Sequence, residues 1–309
     1  MISFRYHLVS IIAVFLALAL GIVVGTTALN GPITKDLRHQ VDSLKSDRNS
    51  LSGQVNVLQG QVGNAEKFAA AYGPQIVSGS LTGQDVVIVG LPGASGGVKD
   101  GLAKEVVVAG GKVTGRIQLT GDYTDPKRAG DITSLATGTH PIGLIYPSTD
   151  DAGTLGGALL SFVLLGRGQP TDLTQVIAGF VELNMLKVEA GDKVVAAPYV
   201  LVVAGGALPV DDSGAKMQLA LISQLQSKGG HVVVAGDTAS ATKGGTLALV
   251  RADDTDKSNV ATVDNSDSAL GRISTVLALA GVGKPAPDTV VGHYGTGTGA
   301  SALFPDPAH

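Results

Sequence analysis

The chain has 309 residues, 44% of them apolar and 16% charged, with a formal net charge of −4. This is enough apolar material for a large core, and too little positive charge to favour a phosphate backbone. Cysteine and tryptophan are absent, which excludes disulfides, thiolate metal sites and cysteine nucleophiles; with no basic patch interleaved with aromatics, nucleic acid is not an expected partner.

The segment Leu8–Leu29, LVSIIAVFLALALGIVVGTTAL, carries no charge and only Ser10, Thr26 and Thr27 as polar residues. At ~1.5 Å per residue it covers the ~30 Å hydrocarbon layer of a bilayer. A cleaved signal peptide is the competing reading, because Arg5 and His7 form a short basic tip and Thr26-Thr27-Ala28 would suit a signal peptidase. The run exceeds the ~7–15 residues of such a segment, so an uncleaved anchor is expected. Arg5 before the run and Lys35, Arg38, Lys45 and Arg48 after it leave orientation undecided by charge count. The order of basic tip, apolar run and long domain places the C-terminal part on the exported face of a cell membrane. Gly21 and Gly25 form a GxxxG, which lets two helices approach closely in lipid; the plainer explanation is that glycine is common in this chain.

Asn30-Gly31-Pro32 is expected to break the helix. A heptad repeat follows, with Leu37, Leu44, Leu51, Leu58 and Ala65 at d and Val41, Arg48, Val55 and Val62 at a. β-Branched residues at a with leucine at d favour a parallel two-stranded coiled coil, here a homodimer. Arg48 is the misfit, offset by Asp47 of the partner helix at the neighbouring g position. Gly53, Gly60 and Gly63 lie away from the seam and weaken the helix by about 1 kcal/mol each. The competing reading is one amphipathic helix packed on its own domain.

From Asp85 onward short apolar runs alternate with amphipathic segments. Strands are expected at Asp85–Val89, Lys112–Leu119, Pro141–Tyr146, Tyr199–Ala204, His231–Ala235 and Val260–Val263, and the continuous runs suit a parallel sheet covered on both faces. Helices are expected near Val98–Ala109, Leu155–Leu165, Leu173–Met185, Ala215–Gln226 and Asp267–Ala280. Asp85–Leu119 and Tyr199–Asp237 repeat one order, strand, glycine-bearing loop, helix and strand. The expected fold class is therefore α/β: an N-terminal transmembrane helix and parallel coiled coil, then a Rossmann-like domain of two βαβ-type halves. The boundaries are 1–32 for the anchor, 33–70 for the coil and 71–309 for the α/β domain, with 71–165 and 173–309 as its two lobes.

Candidate chemistry is sparse. Gly90–Gly97 sits where a dinucleotide loop would, but its spacing is not GxGxxG and Pro92 removes a donor, so a plain strand-to-helix turn is the better reading. Gly93-Ala94-Ser95-Gly96-Gly97 is formally GxSxG, yet nothing in the spacing of His140, His231 or His293 selects a partner for Ser95. Six histidines and three methionines are scattered, without HxH, MxxM or HExxH; Asp150-Asp151, Asp211-Asp212 and Asp253-Asp254 read as turns and caps. No catalytic residue and no resident cofactor are expected. The glycine-dense tail from Gly292 to Ser301 is either a flexible end or a docked segment; in the second case His293, Tyr294 and Phe304 would contact a partner.

The opening Met1-Ile2-Ser3-Phe4-Arg5-Tyr6-His7 with its apolar run, the leucine repeat, Tyr72-Gly73-Pro74-Gln75-Ile76-Val77, and the closing His293-Tyr294-Gly295 with Gly299-Ala300-Ser301 together resemble actinobacterial MctB-type copper transport proteins, also called SteB. The resemblance covers nearly the whole chain in architecture, and no copper ligand can be carried over residue by residue. It implies copper efflux and copper resistance, with an outer-membrane pore as the suggested route and copper as transported ion. It also implies cell separation, in which an anchored protein activates a peptidoglycan hydrolase, directly or through its regulator. A pore needs many alternating strands of ~9–11 residues, and a copper carrier would show methionine or cysteine clusters. The residues favour a non-enzymatic, dimeric, anchored binding module for another envelope protein over a conduit, and over a nucleotide-binding or hydrolytic enzyme.

Overall fold

The computed structural model describes residues 4–189, 191–206 and 212–306, and the chain divides into two units, Met1–Ala65 and Glu66–His309. In the first unit all described residues belong to helix α1 (Phe4–Val77). The backbone stays helical through Asn30-Gly31-Pro32, so the break expected there does not occur. A proline inside a helix removes one i→i−4 bond. That loss is confined to one turn, while helical periodicity runs on both sides of it.

The second unit is a seven-stranded sheet of β1 (Asp85–Gly90), β2 (Lys112–Leu119), β3 (Leu186–Val188), β4 (Tyr199–Val203), β5 (His231–Ala235), β6 (Ala261–Val263) and β7 (His293–Tyr294), in the order β3-β2-β1-β4-β5-β6-β7. All neighbours are parallel except β3, which runs antiparallel to β2. The two repeated units lie back to back: β1-α2-β2, with α2 at Gly96–Val108, and β4-α6-β5, with α6 at Asp212–Ser227, meet where β1 pairs with β4.

Alternation along each strand divides the core in two. Val87, Val89, Val200, Val202, Val232 and Val234 face one layer, which includes α3 (Ala129–Gly138), α4 (Ala152–Leu164), α5 (Pro170–Glu182), α6 and α7 (Thr246–Ala252). Val86, Ile88, Leu201, Val203 and Val233 face the other, built from α2, the end of α1 and, beyond the four-residue α8 (Asp256–Asn259), helix α9 (Ala269–Val282). Helix α5 shows the usual periodicity, burying Leu173, Val176, Ile177 and Phe180. Helix α4 is buried almost all round, because α3, α5 and α6 all pack on it.

Five expected strands and five expected helices are present within a few residues of their predicted ends. Pro141–Tyr146 is not a strand. It is a turn closed by Leu144 N–H donating to the Pro141 carbonyl at 3.1 Å, with Leu144 buried and Ile142 and Ile145 87% and 81% exposed. Proline supplies no ladder donor, and Gly143 two positions on, at φ +90°, favours reversal over extension. Helices α3, α7 and α8 and strands β3 and β7 were not expected; all are short or weakly patterned.

Close packing of α4 on α6 gives a test. A Cβ on Gly157 would lie 3.0 Å from the Leu221 Cα, so Gly157→Val should lower stability by ~1–3 kcal/mol. Gly130 has open space around it, and Gly130→Ala should raise stability by ~0.4–1 kcal/mol. Urea unfolding followed by circular dichroism distinguishes the two.

Candidate functional site

Three places could carry function: the stripe along the first unit's helix, the centre of the sheet, and the C-terminal segment. Leu37, Val41, Leu44, Leu51, Val55, Leu58 and Val62 are all between 49% and 68% exposed, and Arg48 between them is exposed as well. Nothing lies within 4 Å of a Cβ built on Gly21 or Gly25. The stretch Phe4–Gly25 has a mean hydropathy of 2.9 and none of it is buried; by length and composition it can cross a membrane.

The sheet centre is where a doubly wound fold would hold a nucleotide, over the C-terminal ends of β1 and β4. Here two loops close on each other. Leu91 N–H donates to the Val203 carbonyl at 2.8 Å, and a Cβ on Gly205 would lie 2.6 Å from the Gly93 carbonyl carbon and 2.7 Å from the Pro92 oxygen. Below them Gln118 Nε2 donates to the carbonyls of Leu91 and Leu119, each at 2.8 Å. Lys99, from the first turns of α2, donates to Gln118 Oε1 at 2.7 Å and pairs with Glu189. Space that a pyrophosphate would need is taken by backbone and by this ion pair.

The serine and histidines of an elbow are not brought together. His231 Nδ1 lies 3.0 Å from the Val282 carbonyl, His293 Nδ1 lies 3.0 Å from Thr262 Oγ1, and His140 stacks on Tyr146. Among the described residues no hydrogen bond joins Ser95 to any of them. No three His, Asp or Glu side chains among the described residues stand close enough to share a metal ion, and Met185 and Met217 are buried in the core.

The C-terminal segment is docked. Arg251 on α7, its side chain 3% exposed, pairs with Asp264, its side chain 0% exposed, at 2.8 Å. The same guanidinium donates to Thr262 Oγ1 at 2.8 Å, to the Tyr294 carbonyl at 3.0 Å and to the Thr298 carbonyl at 2.9 Å. Asp264 Oδ1 accepts from the amides of Thr296 and Gly297 at 2.8 and 2.9 Å. Gly295 sits at φ +124°, and any Cβ there would collide with the Asp264 carboxylate, so the turn requires glycine. Of the predicted contact residues, Tyr294 is buried, His293 is partly buried and Phe304 is 49% exposed. Burial, and after it the Arg251 charge, hold the His293 imidazole below the usual histidine range; burial pushes the Tyr294 and Tyr199 phenols up. Both rings line a cleft of about 510 Å³ with Ile76, Leu277, Lys284, Val290 and Pro305. Sequence reasoning found Tyr294 through its aromatic character but missed Arg251 and Asp264, which have no local motif.

The fold defines an α/β domain that follows a membrane-length apolar helix. Residues 1–305 match the family described as "Copper transport outer membrane protein, MctB". The chain is 32% identical over 317 residues to the copper transporter MctB of Mycobacterium tuberculosis (strain ATCC 25618 / H37Rv), covering 98% of this chain and 99% of that protein. To the copper transporter MctB of Mycobacterium leprae (strain TN) it is 31% identical over 316 residues, with the same coverage of 98% and 99%. The chain belongs to the MctB family. The family description and the apolar helix both point to membrane association.

The buried pair should behave as a unit. Removing one partner strands a buried charge, so Arg251→Met should cost ~3–5 kcal/mol, while Arg251→Met with Asp264→Leu should cost less than the sum of the two single changes. A double-mutant cycle by urea unfolding measures this.

Proposed function

We propose that this chain is a non-enzymatic, dimeric, membrane-anchored binding module of the copper transport family, whose exported α/β domain engages another cell-envelope protein. Copper is cargo handled through that association, with no resident cofactor, and copper resistance follows from the partner rather than from a conduit within the chain.

The observation that carries the reading is the exposed a/d stripe from Leu37 to Val62. A helix with leucine and valine at heptad spacing in water favours a second helix of the same kind. A parallel pair also sets Arg48 beside Asp47 of the other chain, and lets Gly21 and Gly25 meet in lipid. Further support comes from the sheet, which is covered by helices on both faces, an arrangement suited to docking and unlike the lumen of a barrel. The closed crevice at Gly205 and Gly93 weakens the nucleotide reading. A peptidoglycan hydrolase or its regulator is the partner that the cell-separation role implies, and the same architecture serves it.

Leu44→Glu with Leu51→Glu tests the stripe. Even truncation of a buried leucine costs ~2–5 kcal/mol, so the pair of changes should raise the dimer dissociation constant by about a thousandfold or more. Sedimentation equilibrium of the intact chain in detergent should then report one chain instead of two. Envelope pull-downs with the same variant should lose the partner; a one-chain mass for the unsubstituted protein would overturn the dimer, and a two-chain mass that survives the substitutions would overturn the stripe as its seam.

A further inference from the structure

The last described residues behave as two pieces. Gly295–Thr298 is pinned from inside by Arg251 and Asp264. Ala300–Asp306 lies along the outer side of β7, at the edge of the sheet. Tyr294 and Ala302 form a parallel bridge. Gly295 N–H donates to the Ala302 carbonyl at 3.0 Å, and the Ser301 and Ala302 amides donate to the His293 carbonyl at 2.8 and 3.3 Å.

This outer piece makes main-chain bonds yet hides almost no side chain. Ser301 and Ala302 are exposed, Leu303 and Phe304 are 41% and 49% exposed, and only Pro305 is buried. Hydrogen bonds of this kind exchange readily for bonds to water or to another strand. Apolar side chains held in solvent beside an edge add little to their retention. Pro305 and Asp306 then reach the cleft that Tyr294, Leu277 and Lys284 line, so one short segment occupies both the edge and the cleft's border.

We infer that Ala300–Asp306 is an intramolecular stand-in for an extended segment of a partner protein. It occupies the β7 edge until a partner strand with larger apolar side chains displaces it. Strand addition of this kind takes its affinity from the main chain and its selectivity from pockets beneath alternate residues. The segment suited to this edge is extended and apolar, with a residue like Pro305 seated in the cleft and a carboxylate beside Lys284. Pinning by Arg251 and Asp264 keeps the edge itself formed while the outer piece leaves. The inference rests on the partner-binding reading above, but its test needs only this chain and a peptide.

The probe is a fluorescent synthetic peptide of residues 300–309, titrated by anisotropy against the intact chain in detergent. In the wild-type chain the tethered copy competes at a high effective concentration, so binding should be at least about tenfold weaker than to an Ala302→Pro chain, whose own segment has lost an edge donor. A chain ending at Gly299 should bind the peptide as the Ala302→Pro chain does, and a peptide carrying Ala302→Pro should bind neither. Equal binding to wild type and variant would overturn the inference, as would no binding to the Ala302→Pro chain with its circular dichroism unchanged. If the shortened chain fails to fold, the full-length variant decides alone. Persistence of the two-chain mass in the leucine variants would leave this result untouched, so the two readings fail separately.

Discussion

Strands β1 and β4 are more than a hundred residues apart, yet they lie side by side from Val86 opposite Tyr199 to Gly90 opposite Val203. Much of the second unit follows from that pairing. A parallel crossover is right-handed by default. One crossover leaves β1 outward to β2 and the other leaves β4 outward in the opposite direction to β5, so their helices must fall on opposite faces. Helix α2 therefore shares a core with α9, and α6 shares one with α4 and α5. A sheet covered on both sides needs strands that are apolar on both sides, which DVVIVG, YVLVV and HVVVA provide.

The same pairing creates a crevice, and this chain fills it. Gly205 admits the backbone of Pro92 and Gly93 so closely that no ligand fits between the loops, while Gln118, Lys99 and Glu189 satisfy one another beneath. A fold that commonly holds a cofactor at its centre has given that space to internal contacts. The exposed stripe of the first unit and the β7 edge of the second unit's sheet are the surfaces on which the proposed association rests.

A buried ion pair is a weak source of stability unless further hydrogen bonds satisfy its charges. Arg251 and Asp264 have such further bonds to Thr262, Tyr294, Thr296, Gly297 and Thr298. The pair ties α7 and β6 to a glycine-rich stretch with little intrinsic preference for order. A stretch that reads either as a flexible end or as a docked segment is thereby held in one conformation.

Much of this architecture is legible in the residues alone. The uncharged run before Leu29, the leucine and valine heptads, and the strand-loop-helix-strand order repeated at Asp85 and Tyr199 each express a local periodicity, and local periodicity is what hydrophobic patterning records. Pro141–Tyr146 misled because an apolar run with proline and glycine in it matches a strand by composition while its backbone turns. Strands β3 and β7, at three and two residues, are too short to carry a pattern and exist because a neighbouring strand offers an unpaired edge. By itself the sequence determined which segments are apolar, with what period, and hence where the longer, strongly patterned elements form. Only the tertiary structure decided that the nucleotide crevice is closed, that Arg251 meets Asp264, and that the tail lies on the sheet edge, because each depends on groups brought together by chain crossovers that no local spacing encodes.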